Sequence, residues 1–194
     1  DVCSMKKGEV RIIGGLWRGR KLHFPAIPDL RPTPNRIRET LFNWLAPDIA
    51  NAHCLDLFAG SGALGFEALS RCAKSVTFIE QSATLVPYLE QQIKLFAVED
   101  KAAVYQARFP FDAAAIFKGE KPLFNLVFLD PPFHQNLLGN ACHWLIKEKL
   151  ISHESIIYIE TEATLKNLLL PPNWHIQQCK IAGKVQYGLI KLKR

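Results

Sequence analysis

From Cys54 onward, short apolar runs rich in β-branched and aromatic residues alternate with segments of helical periodicity. This alternation is typical of a mainly parallel sheet that is covered by helices on both faces. The predicted strands cover residues 54–58, 76–79, 103–106, 126–129 and 156–159. The predicted helices cover residues 63–71, 83–96, 112–117, 137–147 and 163–169. The sequence therefore predicts an α/β fold.

A final pair of strands follows Pro171 and Pro172. Residues 174–181 and 186–192 have a strand-like composition and flank Gly183. A glycine between two such runs is a signal for an antiparallel hairpin. We therefore expect the sheet to close with a hairpin rather than with another parallel strand.

The first fifty residues show a different pattern. Residues 10–13 and 21–24 are strand-like and flank a turn rich in glycine and arginine, which predicts a small hairpin. Asn35 is a candidate N-cap for a helix over 36–45, whose apolar residues fall on one face. We expect this hairpin and helix to pack on the main domain.

Positive charge is concentrated near the N-terminus. The chain carries 24 Lys and Arg against 18 Asp and Glu, a net charge of +6, and residues 1–40 contain nine against four, a net charge of +5. A basic segment attached to a nearly neutral domain is typical of a protein that binds a polyanion such as nucleic acid. Charge alone favours the simpler interpretation of a solvated basic tail.

The composition also limits the setting in which the protein acts. Hydrophobic residues make up 48% of the chain, enough for a sizeable core, but no apolar run is long enough to span a membrane and no secretory signal is evident. We therefore expect a cytoplasmic protein without a membrane partner. The five widely spaced cysteines predict reduced thiols and no bound metal. Residues 1–9, which include the sole methionine Met5, are expected to be a tag remnant and a disordered N-terminus.

Residues 55–65 read Leu-Asp-Leu-Phe-Ala-Gly-Ser-Gly-Ala-Leu-Gly, which predicts a strand, a glycine turn and a helix start. Gly60 and Gly62 permit a close approach of the backbone to a ligand, and amides at a helix N-terminus hold anionic groups. Glu80 ends the next predicted strand, where an acidic side chain can accept from both hydroxyls of a ribose. The sequence therefore predicts a site for a nucleotide-like cofactor.

The literal Gly-x-Gly-x-x-Gly match over residues 60–65 also occurs in nicotinamide and flavin enzymes. A hydride-transfer enzyme needs a base or a transfer partner, and none of the six histidines stands in a recognisable motif. Asp56 directly before the turn, together with a downstream Asp-Pro-Pro-Phe segment, fits S-adenosylmethionine better. We therefore favour S-adenosylmethionine over a dinucleotide as the cofactor.

The segment Asp130-Pro131-Pro132-Phe133 follows the apolar run 124–129. Its two prolines fix their own φ angles and remove two backbone donors, so the loop presents rigidly held acceptors. The Asp130 carboxylate and the Pro131 carbonyl oxygen can accept from the two N–H groups of an exocyclic nucleobase amine, and Phe133 can stack on the base. The simpler interpretation is that the prolines only end a buried strand.

Several motifs, taken in order, resemble those of the bacterial 16S ribosomal RNA (guanine-N2)-methyltransferase family of the RsmD type. They are Arg11-Ile12-Ile13-Gly14-Gly15, Trp17-Arg18-Gly19-Arg20, Arg31-Pro32-Thr33, Arg36-Ile37-Arg38-Glu39-Thr40-Leu41-Phe42-Asn43, Phe58-Ala59-Gly60-Ser61-Gly62 and Asp130-Pro131-Pro132-Phe133. The resemblance spans residues 10–192. It is specific because methyltransferases in general do not share the N-terminal motifs.

The resemblance implies a Rossmann-like S-adenosylmethionine-dependent methyltransferase fold, with a seven-stranded mixed sheet, an antiparallel C-terminal hairpin and a small N-terminal hairpin and helix. Residues 10–50 would engage RNA, and residues 51–194 would form the catalytic domain. The implied reaction is methylation of the N2 amine of a guanine in small-subunit ribosomal RNA. Its partner would be ribosomal RNA or a small-subunit assembly particle, and we favour a monomer.

The motifs and the resemblance together give three groups of site residues. The catalytic group is Asp130, Pro131 and Phe133. The cofactor group is Asp56, Phe58, Ala59, Gly60, Gly62, Glu80 and Arg108. The RNA-binding group is Arg11, Trp17, Arg18, Arg20, Arg36 and Arg38. Two positions depart from the family pattern: Arg108 lies in the stretch where a small polar residue often meets the adenine, and the helix cap reads Pro34-Asn35 where threonine and aspartate are common.

Two alternative functions use the same features. A DNA adenine or cytosine amine methyltransferase carries a similar loop, but the sequence suggests no DNA target-recognition domain. A non-catalytic RNA-binding or ribosome-assembly factor retains such a fold, although the intact residues Asp130, Pro131 and Phe133 argue against it. The loop itself specifies only an exocyclic amine, and the choice of guanine N2 comes from the resemblance.

Overall fold

The N-terminal part of the structure is a two-stranded hairpin followed by a helix. The computed structural model describes residues 7–28, 30–132, 137–162 and 164–192. Strand β1 (Lys7–Arg11) pairs antiparallel with strand β2 (Lys21–Pro25), and helix α1 (Asn35–Leu45) follows. β1 begins inside the segment that we expected to be disordered, because residues 7–9 pair in register with residues 23–25.

Seven further strands form one mixed sheet. They are β3 (His53–Asp56), β4 (Ser75–Glu80), β5 (Ala102–Gln106), β6 (Phe124–Leu129), β7 (Ile151–Thr161), β8 (Trp174–Ala182) and β9 (Val185–Leu192). Their order across the sheet is β5-β4-β3-β6-β7-β9-β8. Strands β3 to β7 pair in parallel, whereas β9 pairs antiparallel with both β7 and β8. The predicted seven-stranded mixed sheet with a C-terminal hairpin is confirmed.

Helices connect the parallel strands and cover both faces of the sheet. They are α2 (Ala63–Ser70), α3 (Leu85–Leu95), α4 (Ala113–Ile116) and α5 (Leu137–Lys147). Helices α1, α2 and α3 pack on one face, and α4 and α5 pack on the other. Pro87 lies in the first turn of α3, where its missing N–H would have had no partner within the helix.

The central strands supply side chains to both faces. In β6, Leu126 and Phe128 belong to the core beneath α1, α2 and α3, whereas Val127 and Leu129 belong to the core beneath α4 and α5. None of these four side chains is more than 2% exposed. Because successive strand residues point to opposite faces, a strand covered on both sides needs a continuous apolar run.

The N-terminal hairpin and α1 share the core of the main sheet. Val10, Leu22 and Leu41 belong to the same buried cluster as Phe66 of α2 and Phe128 of β6. A separate module would have its own core. The hairpin and α1 are therefore an integral layer of the domain.

The predicted helix over residues 163–169 is wrong. In the described part of this stretch the chain forms only a short 3-10 turn, Leu165–Asn167. The Leu165 amide donates to the Gln186 side-chain oxygen at 2.7 Å, which ties the turn to β9. Pro171 and Pro172 follow the turn after three intervening residues, and proline disfavours helical geometry both for itself and for the residue before it. The hydrogen bond to β9 and the two prolines therefore limit this stretch to a single short turn.

Candidate active site

Four acidic side chains lie at one edge of the main sheet. Asp56 ends β3, Glu80 ends β4, Asp130 directly follows β6 and Glu160 lies one residue before the end of β7. These strands are parallel, so their carboxyl ends meet at the same edge. The chain moves outward from β3 to β4 and then returns to β6 on the other side of β3, and ligands bind at such switch points in open α/β sheets. This edge is the candidate active site.

The connection from β3 to α2 is a tight glycine turn. Gly60 and Gly62 have φ angles of 55° and 77°, in the left-handed region that favours glycine. The Ala59 amide donates to the Ile79 carbonyl at 2.9 Å, which fixes the turn beside the end of β4. Phe58 is half-buried directly before it. The predicted cofactor residues Phe58, Ala59, Gly60 and Gly62 therefore lie together on one turn.

Glu80 reaches from the end of β4 to this turn. Its Oε2 accepts from the Gly60 amide at 2.7 Å, and its Oε1 accepts from the Ser82 amide at 2.8 Å. An ionised carboxylate has about four acceptor positions, so two remain for hydroxyl donors such as those of a ribose. An acidic acceptor and a turn whose two glycines lack side chains therefore meet at one place, as a nucleoside ligand requires.

Asp56 lies beneath the glycine turn rather than in its opening. Its side chain is 2% exposed, and its Oδ2 accepts from the Gly65 amide at 3.2 Å. Burial, with a smaller contribution from the Glu80 carboxylate, raises the pKa of Asp56 to about 7, although the hydrogen bond from Gly65 opposes the shift. The Asp56 side chain therefore supports the start of α2, and its contact with a cofactor stays a prediction.

Arg108 follows β5 at the same edge and is exposed. The amide of the preceding Ala107 donates to the Glu80 carbonyl at 3.0 Å, so this segment runs alongside the end of β4. The contact of Arg108 with a cofactor stays a prediction.

The Asp130 loop lies on the other side of β3 from Glu80. Asp130 is partly exposed and Pro131 is buried. Phe133, which we expected to stack on a base, lies outside the described residues. Asp130 Oδ2 is 3.2 Å from the Thr33 hydroxyl, and no hydrogen bond within the described ranges engages Oδ1. As far as the described part of the chain is concerned, this carboxyl oxygen is open to accept from a ligand.

Two carboxyl groups share one hydroxyl beside this loop. Thr33 Oγ1 lies 3.2 Å from Asp130 Oδ2 and 3.3 Å from Glu160 Oε2, and Tyr158 Oη donates to the same Glu160 oxygen at 2.9 Å. Burial and then the Glu160 charge raise the pKa of Asp130 well above its usual value. Burial also raises the pKa of Glu160. Sequence reasoning assigned no role to Thr33, Tyr158 or Glu160.

The segment between β2 and α1 covers this edge of the sheet. The Leu30 side chain reaches within 3.1 Å of the place where Gly60 would carry a β-carbon. Thr33, only 4% exposed, contacts Asp130. The glycine turn and the Asp130 loop therefore border the same N-terminal segment.

The arginine-rich turn of the N-terminal hairpin lies at the opposite edge. The Trp17 amide donates to Ser70 Oγ at 2.9 Å, and the Trp17 ring lies 4.4 Å from that of Phe96. The Arg20 guanidinium lies over the Phe96 ring at 3.9 Å, and Arg18 is exposed beside it. Ser70 ends α2 and Phe96 follows α3, and both helices run away from the active-site edge. An RNA bound to both edges would have to cross about 16 Å, the length of an eleven-residue helix.

Arg11 and Arg36 are also exposed, on β1 and in the first turn of α1. Arg36 lies three residues after Thr33 and is therefore near the active-site edge. RNA contacts of these two residues stay predictions.

The prediction that Arg38 binds RNA is wrong, because its side chain has no exposure to solvent. Its guanidinium donates to the carbonyl oxygens of Thr33 at 3.1 Å and Arg11 at 2.9 Å and pairs with Glu67 at 3.4 Å. The position is readable from the helix pattern, since Arg38 falls on the buried face of α1 beside Ile37. Arg38 is a structural residue.

Glu67 was missed by sequence reasoning although it holds the hairpin to α2. Its carboxylate oxygens accept from the Ile13 and Gly14 amides at 2.9 Å each and from Arg71 Nε at 2.9 Å. The available signal is the one charged residue in the sequence of α2, all of which is buried. A buried carboxylate of this kind needs several donors.

The described ranges contain neither a candidate metal site nor a candidate membrane-spanning helix. No group of three or more His, Cys, Asp or Glu side chains there is arranged to hold a metal ion. None of the helices there combines the length and the apolar character needed to cross a bilayer.

A protein-family model described as conserved hypothetical protein 95 matches residues 10–191. The chain is 46% identical over 183 residues to ribosomal RNA small subunit methyltransferase D of Haemophilus influenzae, with 94% of each chain covered. It is 44% identical over 182 residues to the protein of the same name in Escherichia coli K12, with 94% of this chain and 89% of the relative covered.

Solved structures agree with these relatives. The structure of yhhF from Escherichia coli superposes with a TM-score of 0.82 at 42% identity, covering 96% of this chain and 99% of that chain. A tRNA m1G37 methyltransferase from M. jannaschii superposes with a TM-score of 0.68 at 15% identity, covering 98% of this chain and 58% of that chain. The second similarity concerns the fold alone.

Proposed function

The chain belongs to the family of the ribosomal RNA small subunit methyltransferase D proteins and is a methyltransferase, and from this premise we propose that it methylates the exocyclic N2 amine of a guanine in small-subunit ribosomal RNA with S-adenosylmethionine as donor. The observation that carries the proposal is the placement of the Asp130-Pro131 acceptors and the Gly60 turn at the carboxyl ends of the paired strands β6 and β3. A methyl donor and an amine would meet between them.

S-adenosylmethionine fits the residues on one side of β3. Phe58, Ala59, Gly60 and Gly62 would lie against its methionine part, and Glu80 would accept from its ribose hydroxyls. The free acceptor positions of Glu80 support this assignment, since its two hydrogen bonds from backbone amides leave capacity for two more. When bound, the cofactor supplies an electrophilic methyl group on a good leaving group.

On the other side of β3, Asp130 and Pro131 prepare the amine. The lone pair of a guanine amine is delocalised into the ring, which makes the nitrogen a poor nucleophile. Asp130 Oδ1 and the Pro131 carbonyl oxygen would accept from its two N–H groups, orient the nitrogen and stabilise the positive charge that develops on it. Phe133 would stack on the base, which must leave its stack to reach the site.

Residues 10–50 would engage the RNA. The exposed side chains of Arg11, Arg18, Arg20 and Arg36, together with Trp17, support this role, because cationic side chains bind phosphates and an indole ring can stack on a base. Residues 51–194 would carry the cofactor and the catalytic loop. The shared core means that these two parts belong to one domain.

The proposal is tested by supplying purified protein with S-adenosylmethionine carrying a labelled methyl group and with either naked small-subunit ribosomal RNA or assembled particles. Nuclease digestion and mass spectrometry should identify N2-methylguanosine. Asp130→Ala should lower the rate at least about a hundredfold while cofactor affinity stays unchanged, and Asp100→Ala, an exposed aspartate remote in sequence, serves as control. Label on another base or another guanine atom would overturn the proposed reaction, and an undiminished rate of Asp130→Ala would overturn the role of Asp130.

A further inference from the structure

We propose that Thr33 and Glu160 carry away the proton that the guanine amine loses on methylation, as a hydrogen-bonded relay that starts at Asp130. The inference rests on the function proposed above. An amine nitrogen that gains a methyl group holds one proton more than the neutral product, so a proton must leave. Neither Thr33 nor Glu160 would touch the amine, and both act through Asp130.

The relay is defined by the contacts of one hydroxyl group. Thr33 Oγ1 lies 3.2 Å from Asp130 Oδ2 and 3.3 Å from Glu160 Oε2. A hydroxyl has one proton, so it donates to one carboxyl group and must accept from the other. Each contact is a separate two-centre hydrogen bond when one of the two carboxyl groups is protonated, and that protonation also removes the repulsion between two neighbouring carboxylates. The pair therefore holds one proton in the resting protein.

The surroundings assign that proton to Asp130. Glu160 Oε2 accepts from Tyr158 as well as from Thr33, and hydrogen bonds to a carboxylate favour its ionised form. Asp130 has no second donor within the described ranges. Burial, followed by the charges of Glu160 and Asp56, raises the pKa of Asp130 well above its usual value. Burial raises the pKa of Glu160 as well, so the assignment depends on geometry: Glu160 Oε2 has two hydroxyl partners and Asp130 Oδ2 has one, which places the shared proton on Asp130 and leaves Glu160 ionised.

Among the described residues, the groups around the relay give Glu160 no cationic partner. Asp56 at the end of β3 is itself acidic, and Tyr158 on β7 and Tyr187 on β9 are phenols. Tyr187 pairs with Glu160 across the two strands. In the described ranges, no ion pair joins Glu160 or Asp130 to a lysine or arginine. A buried carboxylate that lacks a countercharge is a good proton acceptor.

In the relay, each side chain that gives up a proton receives another one, as protons pass from the amine to Asp130, Thr33 and finally Glu160. An N–H bond of the methylated amine breaks and an O–H bond forms at Asp130 Oδ1. The proton already on Asp130 Oδ2 moves to Thr33 Oγ1, and the hydroxyl proton of Thr33 moves to Glu160 Oε2. Asp130 ends neutral, as it began, and the negative charge of Glu160 is neutralised. Glu160 later returns its proton to solvent.

The experiment compares two variants of Thr33: Thr33→Val removes the hydroxyl at nearly constant shape, and Thr33→Ser keeps it. A third variant, Glu160→Gln, keeps the hydrogen-bonding capacity of the side chain but cannot accept the proton. Thr33→Val and Glu160→Gln should each lower kcat by about a hundredfold, the usual contribution of general base catalysis, with KM for S-adenosylmethionine unchanged. Thr33→Ser should retain most of the wild-type kcat. The acidic limb of the wild-type pH profile of kcat should be absent in Glu160→Gln.

A second readout needs no turnover. Carbon-13 carboxyl chemical shifts of the ligand-free protein near neutral pH should identify Asp130 as neutral and Glu160 as ionised, and the reverse assignment would overturn the relay. A Glu160→Gln variant that is folded and has the wild-type kcat and pH profile would also overturn it. These results are distinct from failure of the proposed function, in which the wild-type protein itself would not methylate guanine N2.

Discussion

Arg38 and Glu67 form an ion pair from which solvent is excluded, with Arg38 Nη1 3.4 Å from Glu67 Oε2 and neither side chain exposed. Glu67 also accepts from the Ile13 and Gly14 amides. The pair lies where the hairpin, α1 and α2 meet, so it fixes the position of the whole N-terminal layer.

Replacing Glu67 should therefore destabilise the protein strongly. Glu67→Ala leaves the Arg38 guanidinium buried without its partner, which typically costs about 3–5 kcal/mol. The free energy of unfolding is measured by urea denaturation. As a control, Glu9→Ala removes an exposed ion pair with Lys21 and should leave the midpoint unchanged. A Glu67→Ala midpoint equal to that of the wild type would contradict the structural role.

The raised pKa of Asp56 predicts a specific pH dependence of stability. Its pKa is about 7 in the folded protein against an ordinary value of 3.8, so between these values the folded state binds more protons than the unfolded state. The stabilising contribution of this group is therefore complete below the ordinary pKa and is lost as the pH rises to about 7.

Asp56→Asn keeps an acceptor for the Gly65 amide but cannot ionise. The free energy of unfolding of Asp56→Asn minus that of the wild type should therefore increase as the pH rises through this window. The increase should be up to about 4 kcal/mol, because one pKa unit corresponds to about 1.4 kcal/mol. Urea denaturation of both proteins in the same series of buffers measures the difference, and a difference that does not change with pH would contradict the raised pKa.

Glu80 should determine cofactor affinity. Glu80→Ala removes the proposed acceptor of the ribose hydroxyls, and the loss of hydrogen bonds to a charged group should weaken S-adenosylmethionine binding by about ten- to a hundredfold. Isothermal titration calorimetry measures the affinity. Glu90→Ala, at an exposed position on α3, is the matched control. Because Glu80 also holds the Gly60 amide, a thermal unfolding curve must accompany the titration. Unchanged affinity would remove Glu80 from the cofactor site.

The exposed arginines should determine the salt dependence of RNA binding. The double variant Arg18→Ala, Arg36→Ala should reduce the slope of log affinity against log salt by about 1.4–1.8, since each lost phosphate contact removes about 0.7–0.9. Binding is measured by fluorescence anisotropy over a range of salt concentrations. The control variant Lys121→Ala, Lys147→Ala removes two charges near α4 and α5, on the other face of the sheet. Equal slopes for the two variants would mean that the arginines are only a solvated face.

The sheet was predictable because its signals are local. The apolar run of β6 and the glycine turn after β3 each determine an element without reference to the rest of the chain. Parallel pairing then brings Glu80 and Asp130 to one edge, so most of the candidate site follows from knowing which residue ends each strand.

The remaining features depend on contacts between distant parts of the chain. Arg38 looks like another member of a basic cluster until α1 packs and turns it toward Glu67, 29 residues away. Thr33 and Glu160 are unremarkable in sequence and become significant only when the segment before α1 lies beside β7, 127 residues later. The helix expected over residues 163–169 fails for a similar reason, since Leu165 bonds to Gln186 of β9.

The contact of Thr33 with Asp130 and Glu160 has a consequence for folding order. The hydroxyl is synthesised 97 residues before one partner and 127 residues before the other. Contacts with such large sequence separation form late in folding, because the chain between the two residues must lose conformational entropy before the contact can contribute any stabilising energy. The hairpin and the glycine turn can form while the chain is still emerging, but this part of the site can assemble only after β7 has joined the sheet. A chain released before that point would have a place for the cofactor but would lack the contact of Thr33 with Glu160.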